Sequence, residues 1–200
     1  MDEGLRVRVL TGADPELPAF VPDLARLRIT VFRDFPYLYD GTLAYEERYI
    51  STYLECPESL FVLALDGATV VGVATALPLA DETEAFKQPF IDAGIDPERV
   101  FYCGESVLLP AWRGRGLYRQ FLGERERYAR ALGRFDRIAL CGVVRPADHP
   151  LRPADYVPLD AVWAHFGYLP RPDLVASFEW KDIDEDAPTR KPMVFREKML

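Results

Sequence analysis

The chain has 200 residues and a net charge of −8, with 49% apolar and 28% charged residues. This size and composition predict one folded domain, residues 1–200, and exclude a chain that is disordered throughout. The acidic balance argues against a nucleic-acid partner, because phosphate contacts need an excess of basic residues on one face.

The sequence contains no signal for a membrane or an oxidising compartment. The longest apolar runs, such as Val70–Leu79, are well short of the about 20 residues that cross a bilayer. The N-terminus is acidic and lacks the basic start of a signal peptide, so we expect a cytoplasmic protein with no membrane partner. Its three cysteines lie far apart, which predicts no disulfide framework and no metal site.

The first half of the chain contains both strands and helices. The predicted elements are, in order, a strand at Leu5–Leu10, a helix from about Pro22 to Phe35, a helix at about Leu43–Glu55, and strands at Leu60–Leu65 and Thr69–Leu77. Asp66-Gly67 between the two strands is typical of a tight hairpin. The spacing of the second helix places four residues near one face: Leu43, Glu47, Ile50 and Leu54.

The second half of the chain continues the mixed pattern and makes the fold class α/β (α+β). The predicted elements are a short helix within Asp81–Asp96, a strand at about Val100–Leu109, a helix at Leu117–Leu132, a strand at Phe135–Val144, a short helix at Leu159–Phe166, and strands at about Leu174–Trp180 and Met193–Lys198. The long helix is amphipathic, and we expect Arg125, Arg127 and Arg130 on its solvent face.

One segment carries a local excess of positive charge. Residues 111–137 hold eight arginines against three carboxylates, in a chain that is acidic as a whole. Within it, the turn Arg113–Gly116 lies between a predicted strand and a predicted helix. A helix N-terminus offers unpaired N–H groups, and glycines let a phosphate approach the backbone closely. This pattern predicts a pyrophosphate site; the alternative is a flexible basic loop.

The segment Arg113-Gly114-Arg115-Gly116-Leu117-Tyr118 resembles the signature of the GNAT superfamily, the acyl-CoA-dependent N-acetyltransferases. That signature is Arg/Gln-x-x-Gly-x-Gly/Ala, and the chain departs from it at Tyr118, where the family has a small residue. The order of elements and the closing Phe166-Gly167-Tyr168 are similar as well. The resemblance implies the GNAT fold, a mixed, mostly antiparallel sheet of about seven strands with helices on both faces.

The resemblance also implies how a donor substrate binds. In this family the fourth and fifth strands splay apart, and the pantetheine arm of acetyl-CoA, or of another acyl-CoA, inserts between them. No metal is needed. Carried onto this sequence, it assigns the pantetheine to the backbone of Val107, Leu108 and Leu109. It assigns the pyrophosphate to Arg113, Gly114, Arg115, Gly116, Tyr118 and Arg119.

The catalytic residues that the family uses are only partly present. A Glu on the fourth strand often serves as base, and Glu105 is the only carboxylate on that strand here. We therefore predict that Glu105 is the base or binds the substrate amine; the alternative is a polar group at a strand end. The family's usual acid is a Tyr on the last helix, but this sequence has Trp163 there, which predicts a pocket wall or core residue. Tyr156 offers a substitute hydroxyl.

A proline-rich loop follows the fifth strand, where the family's acceptor site lies. Residues Arg145–Pro158 contain four prolines, which lower the entropy cost of ordering the loop. His149 is a second candidate base, since its side chain titrates near neutral pH. Arg145 or Arg152 is a candidate for binding a carboxylate of the acceptor. The alternative is a surface loop with internal salt bridges.

Aromatic residues between the first two helices suggest a wall of the acceptor pocket. Tyr37 and Tyr39 are candidates for contacting an apolar or planar substrate, with core packing as the alternative. Cys103 and Cys141 lie on neighbouring strands, so an acyl-cysteine intermediate is conceivable, although small buried cysteines are common.

The sequence thus predicts an N-acyltransferase that moves an acetyl or short acyl group from acyl-CoA to a small-molecule amine by direct attack in a ternary complex. Two alternatives stay open: a catalytically silent acyl-CoA-binding regulatory module, and an acetyltransferase for protein N-termini or lysines. We expect a monomer or a homodimer.

Overall fold

The computed structural model describes residues 4–200, so the acidic N-terminal residues 1–3 lie outside the described residues. The strands are β1 (Leu5–Thr11), β2 (Leu60–Asp66), β3 (Thr69–Pro78), β4 (Val100–Leu108), β5 (Arg137–Val143), β6 (Leu169–Trp180) and β7 (Thr189–Met199). The helices are α1 (Val21–Phe32), α2 (Leu43–Glu55), α3 (Glu84–Asp92), α4 (Leu117–Leu132) and α5 (Asp160–His165). This is the predicted order of elements.

The strands form one seven-stranded sheet in the order β1-β2-β3-β4-β5-β7-β6. β4 and β5 run parallel, and every other neighbouring pair is antiparallel. The expected mixed, mostly antiparallel sheet is therefore confirmed. β6 and β7 are longer than predicted, because their ladder also includes polar residues and continues past an irregularity between Arg171 and Val175.

The sheet separates two hydrophobic cores. Successive side chains of a strand point to opposite faces, and β2 shows this alternation directly. Phe61 and Leu63 belong to the core that also contains residues of α1, α2 and α3. Val62 and Ala64 belong to the core that also contains residues of α4. Helices thus cover both faces of the sheet, as the resemblance implied.

The buried face of α2 differs from the predicted one. Leu43 is 47% exposed, whereas Glu46, Ile50 and Tyr53 are buried. The predicted face contained Leu43 and Glu47, and both are exposed because the buried face runs through the neighbouring Glu46 instead. The Glu46 carboxylate is paired with the Arg28 guanidinium of α1, so a charge occupies the core-facing position of each helix.

The helices are short, and α4, with 16 residues, is the longest of those described. Its apolar side, which includes Leu117, Phe121 and Leu122, packs against the sheet. Within residues 4–200, none of the helices combines the length and the apolar character needed to cross a membrane.

Candidate active site

A cleft opens between β4 and β5 halfway along the sheet. The parallel pairing of the two strands ends at Cys103 and Leu140. Beyond that point β4 continues to Leu108 against β3, while β5 continues to Val143 against β7. Strands that separate in this way expose backbone groups that no neighbouring strand satisfies. The cleft therefore offers a place where an extended ligand can lie between two strands.

β4 contains a bulge at the point where this cleft begins. Cys103 pairs with Ala76 and Ser106 with Ala74, so β4 has one more residue than β3 between these pairs. A bulge of this kind turns a strand and re-aims a side chain. Gly104 is required there, since a Cβ atom would lie 2.1 Å from the Tyr53 hydroxyl. The bulge places Gly104 and Glu105 on the wall of a cavity.

The turn after β4 leads into α4 without a capping side chain. Gly116 is the N-cap residue with φ of +80°, and as a glycine it has no side chain that could accept a hydrogen bond from the first turn of the helix. Gly114 also has a positive φ, and a Cβ atom on either glycine would meet only open space. The first turn contains no acidic residue. An uncapped helix start of this kind favours an anion.

Three exposed arginines lie at this turn and in the first turn of α4: Arg113, Arg115 and Arg119. The Arg113 guanidinium donates from Nε to the carbonyl of Leu108 at 3.1 Å, which ties the turn to the end of β4. The Arg115 guanidinium lies 4.7 Å from the centre of the Trp112 ring. The arginines therefore surround the uncapped helix start with positive charge.

Tyr118 points inward rather than towards this turn. Its hydroxyl oxygen accepts a hydrogen bond from Trp163 Nε1 at 2.7 Å, and Ser106 of β4 lies beside it. Trp163 in turn packs on Gly142 of β5, where an added Cβ atom would lie 2.9 Å from the indole. The phenol thus lies between the separated ends of β4 and β5. Burial raises the pKa of Tyr118, opposed by the bond from Trp163, so the hydroxyl keeps its proton at neutral pH.

Arg125 of α4 holds the same part of β4, in contrast to the prediction that it faces solvent. Its side chain is buried at 1% exposure. The guanidinium donates to the carbonyl of Glu105 and, at 2.7 Å, to Ser106 Oγ. The prediction was wrong because a guanidinium at a core-facing position is stable where backbone carbonyls accept its hydrogen bonds.

A cavity of about 230 Å³ lies on the other side of Glu105, between α1, α2 and the sheet. More than half of its lining residues are aromatic. It is lined by Arg28, Phe32, Tyr37, Tyr39, Tyr45, Glu46, Tyr49, Thr83, Phe86, Tyr102, Gly104, Glu105, Phe178, Glu179, Trp180 and Met193. The predicted site residues Tyr37, Tyr39 and Glu105 thus share one cavity wall.

Two carboxylates share one arginine in this cavity. The Arg28 guanidinium donates from Nε to Glu46, and its Nη1 lies 2.5 Å from Glu105 Oε2. All three side chains are at most 9% exposed. The Arg28 guanidinium also lies over the ring of Tyr49 at 4.3 Å. Despite the cost of burial, the neighbouring Glu105 and Glu46 raise the pKa of Arg28, so the arginine stays charged.

Hydroxyl groups continue from the cavity into the core. Tyr49 and Tyr53 are joined by a hydrogen bond of 3.2 Å, and the Tyr53 hydroxyl donates to Glu82 at 2.8 Å. Burial raises the pKa of both tyrosines well above the usual value, so they remain neutral donors at pH 7. Burial also raises the pKa of Glu82. The charged residues that line the cavity are Arg28, its two carboxylate partners and the exposed Glu179.

The loop after β5 lies apart from the cavity. His149, Arg152 and Tyr156 gather around Phe35, and none of them lines the cavity. His149 Nδ1 accepts the backbone N–H of Leu151 at 3.2 Å. The structure therefore does not bring His149, Tyr156 and Glu105 together at one wall.

Arg145 has a structural role instead of the predicted one. Its guanidinium donates to both carboxylate oxygens of Asp182, at 2.6 and 2.9 Å, and to the carbonyls of Pro36 and Tyr37. Its side chain is 7% exposed. These bonds use four of the five N–H donors of the guanidinium and pair its charge with Asp182, so Arg145 is not available to a carboxylate of the acceptor. The ion pair instead holds the segment before α2 against the β6–β7 connection.

The cysteines are buried thiols. Cys103 is 2% exposed and Cys141 is 8% exposed, and Tyr102 lies 3.1 Å from the Cys141 sulfur. Burial raises the pKa of Cys103 to about 11 and that of Cys141 to about 12. Because the thiolate is the nucleophile, neither group is poised to attack an acyl donor. Among the described residues, no group of His, Cys, Asp and Glu is arranged to hold a metal ion.

The model of the Acetyltransferase (GNAT) family matches residues 25–153. That span covers more than half of the chain and includes the bulge of β4, the Arg–Gly turn and all of α4. The chain belongs to the GNAT acetyltransferase family. The family uses acetyl-CoA as acyl donor.

Solved GNAT structures show the same fold at low sequence identity. An N-acetyltransferase from Staphylococcus aureus Mu50 aligns with a TM-score of 0.61 at 10% identity, over 98% of this chain and 99% of that chain. A ribosomal-protein-alanine N-acetyltransferase from Brucella melitensis aligns with a TM-score of 0.59 at 14% identity, over 98% of this chain and 99% of that chain. An acetyltransferase from Salmonella typhimurium, solved with its cofactor acetyl-CoA, aligns with a TM-score of 0.56 at 12% identity, over 99% of this chain and 95% of that chain. No curated protein matches the chain in sequence.

Sequence reasoning missed several residues of this GNAT site, namely Arg28, Glu46 and Arg125. The available signal was a charge in the apolar phase of an amphipathic helix. Arg28 is four residues after Leu24, and Glu46 is four residues before Ile50, so each shares a helix face with a core residue. A charge at such a position needs a partner, which the sequence alone does not identify.

Proposed function

We propose that this GNAT chain transfers an acetyl or short acyl group from acyl-CoA to the amine of a small molecule by direct attack in a ternary complex. The observation that supports this most is the position of Glu105. It lies at the β4 bulge, with the cleft for an extended ligand on one side and the aromatic cavity on the other. An acyl donor and an amine would meet at this residue.

The donor half of the proposal rests on the cleft and the turn. The pyrophosphate would bind at the uncapped start of α4, against the backbone of Gly114 and Gly116 and the charges of Arg113, Arg115 and Arg119. The pantetheine would lie along the backbone of Val107–Leu109. The open space at both glycines fits a phosphate group. Tyr118 would contact the thioester end rather than the pyrophosphate, because its hydroxyl lies between the strands.

The chemistry needs a proton acceptor for the amine and a donor for the thiolate. An amine that enters as an ammonium ion would first give one proton to the Glu105 carboxylate, and its neutral nitrogen would then attack the thioester carbon as the carbon–sulfur bond breaks. The leaving thiolate would take the proton of the Tyr118 hydroxyl, and the phenolate so formed would take the second proton from the acylated nitrogen. Trp163 Nε1 donates to that oxygen, so the phenol O–H stays available to a third group. The raised pKa values of Cys103 and Cys141 favour this direct attack over an acyl-cysteine route.

The test is amine-dependent release of the coenzyme A thiol from acetyl-CoA, with the acylated product identified by mass spectrometry. A panel of primary amines should give turnover, and peptides with free N-termini should give much less, since the cavity is small. E105Q should lower kcat by about 100-fold, whereas E47Q, which changes an exposed carboxylate of α2, should keep wild-type rates. Wild-type turnover by E105Q would refute its role. Turnover of peptides alone would move the function to protein acetylation.

A further inference from the structure

The charge on the cavity wall is unbalanced. Among the described lining residues, Arg28 is the single basic one, and it is shared by the buried carboxylates of Glu46 and Glu105. The three side chains are each at most 9% exposed, and together they carry one net negative charge. A third acidic residue of the lining, Glu179, is exposed at 62% and pairs with Arg190, so it adds little to the field inside.

The two carboxylates share few donors. Arg28 Nε donates to Glu46, its Nη1 lies 2.5 Å from Glu105 Oε2, and the Tyr39 hydroxyl is hydrogen-bonded to Glu46. An ionised carboxylate has about four acceptor positions, so these contacts leave room for further donors. A ligand with N–H donors and a positive charge would add donors and balance the second carboxylate charge.

The walls suit a cation with an apolar body. Aromatic rings surround the carboxylates, and a cation is attracted to the faces of such rings. The protein already uses this contact, because the Arg28 guanidinium lies 5.1 Å from the centre of the Phe32 ring and 4.3 Å from that of Tyr49. The volume of about 230 Å³ equals that of roughly eight liquid waters, which limits the occupant to a small molecule.

The same wall disfavours a carboxylate on the acceptor. Arg28 is taken by two glutamates, and Arg145 and Lys191, the cations behind the cavity, are both paired with Asp182. A substrate carboxylate would therefore find no cation available among the described lining residues. It would add a second negative charge to a site that already carries one.

We propose that the acceptor is a small primary amine that enters as a monocation, has an apolar or aromatic body, and lacks a carboxylate. Glu46 and Glu105 bind its ammonium group, and the aromatic walls enclose its body. This substrate class rests on the proposed acyltransfer, because it defines which amines the same cavity accepts.

Matched ligands separate charge from shape. L-phenylalaninamide and L-phenylalanine share the amine and the aromatic body. The first has a neutral amide where the second has a carboxylate. We expect kcat/KM with acetyl-CoA to favour the amide by about 100-fold. 2-Phenylethylamine should bind in isothermal titration, and 2-phenylethanol, which has the same body without the charge, should not. If L-phenylalanine is acetylated as fast as its amide, the substrate class is refuted while the acyltransfer stays intact.

Variants locate the charge in the structure. E46Q keeps the shape of the side chain and removes one carboxylate charge, so KM for 2-phenylethylamine should rise about tenfold. E47Q, one residue further along the same helix and exposed, should leave KM unchanged. Urea unfolding checks that both variants fold. Binding of 2-phenylethylamine without turnover of any amine would support a cation-binding cavity and refute the acyltransfer. No binding, or a KM unaffected by E46Q, would refute the substrate class.

Discussion

Replacing Tyr118 with Phe tests the assignment of the proton donor. The change removes one oxygen from a phenol that lies between the separated ends of β4 and β5. If the hydroxyl protonates the leaving thiolate, kcat should fall by about 100-fold, the lower part of the range for general acid catalysis. The KM for acetyl-CoA should change little, because the hydroxyl points away from the Arg–Gly turn.

The same substitution has a separate effect on stability. It removes the acceptor of the 2.7 Å hydrogen bond from Trp163 Nε1 and leaves a partly buried N–H group without a partner. The expected loss is about 1 to 3 kcal/mol of unfolding free energy, measured by urea denaturation. A fall in kcat has therefore to be separated from a fall in the folded fraction.

W163F supplies that separation. It removes the donor of the same hydrogen bond and leaves the Tyr118 hydroxyl in place, so its stability should fall by a similar amount. Its kcat should stay within about tenfold of wild type, since the acid is still present. Steady-state rates on protein shown to be folded compare the two. Equal kcat losses in Y118F and W163F would show that the hydroxyl acts only through packing, and wild-type kcat in Y118F would refute the acid role entirely.

Three further perturbations test other parts of the account. G116E should weaken acetyl-CoA binding by about 100-fold in isothermal titration, because it places a carboxylate at the anion site; G133E, which changes a glycine of similarly positive φ at the other end of α4, should not, and equal losses would implicate backbone strain. C103A and C141A should each keep kcat within about twofold, and loss of activity in folded protein would restore the acyl-cysteine route. Although burial opposes it, hydrogen bonds from Lys191 and Thr189 lower the pKa of Glu185 to about 2, so its stabilisation is present above pH 4.5 and is lost as the pH falls towards 2. E185Q should therefore melt below wild type at pH 7 and match it near pH 2, and a constant difference would contradict the ion pair.

The order of elements could be predicted because each helix and strand has its own periodicity. The bounds of α2 and α4 follow from apolar spacing and from the residues that end each helix. The Arg–Gly turn could be placed before α4 for the same reason, since strand, turn and helix are contiguous in the chain.

The buried ion cluster of the cavity could not be predicted, because it depends on contacts between distant segments. Arg28 and Glu46 lie on different helices, and Glu105 lies on the fourth strand. Each charge appears costly in its own helix or strand, and only their contact explains their burial. Arg145 shows the converse, because its sequence position suggested a substrate contact while Asp182, 37 residues later, takes the guanidinium.

The central claim is direct transfer from acyl-CoA to an amine that is bound at the same time. Initial rates with acetyl-CoA and 2-phenylethylamine varied together test it most directly, since a ternary complex and an acyl-enzyme give different patterns. We predict double-reciprocal lines that intersect, with one N-acetyl product formed for each thiol released. Parallel lines, or thiol release that does not depend on the amine, would contradict the account.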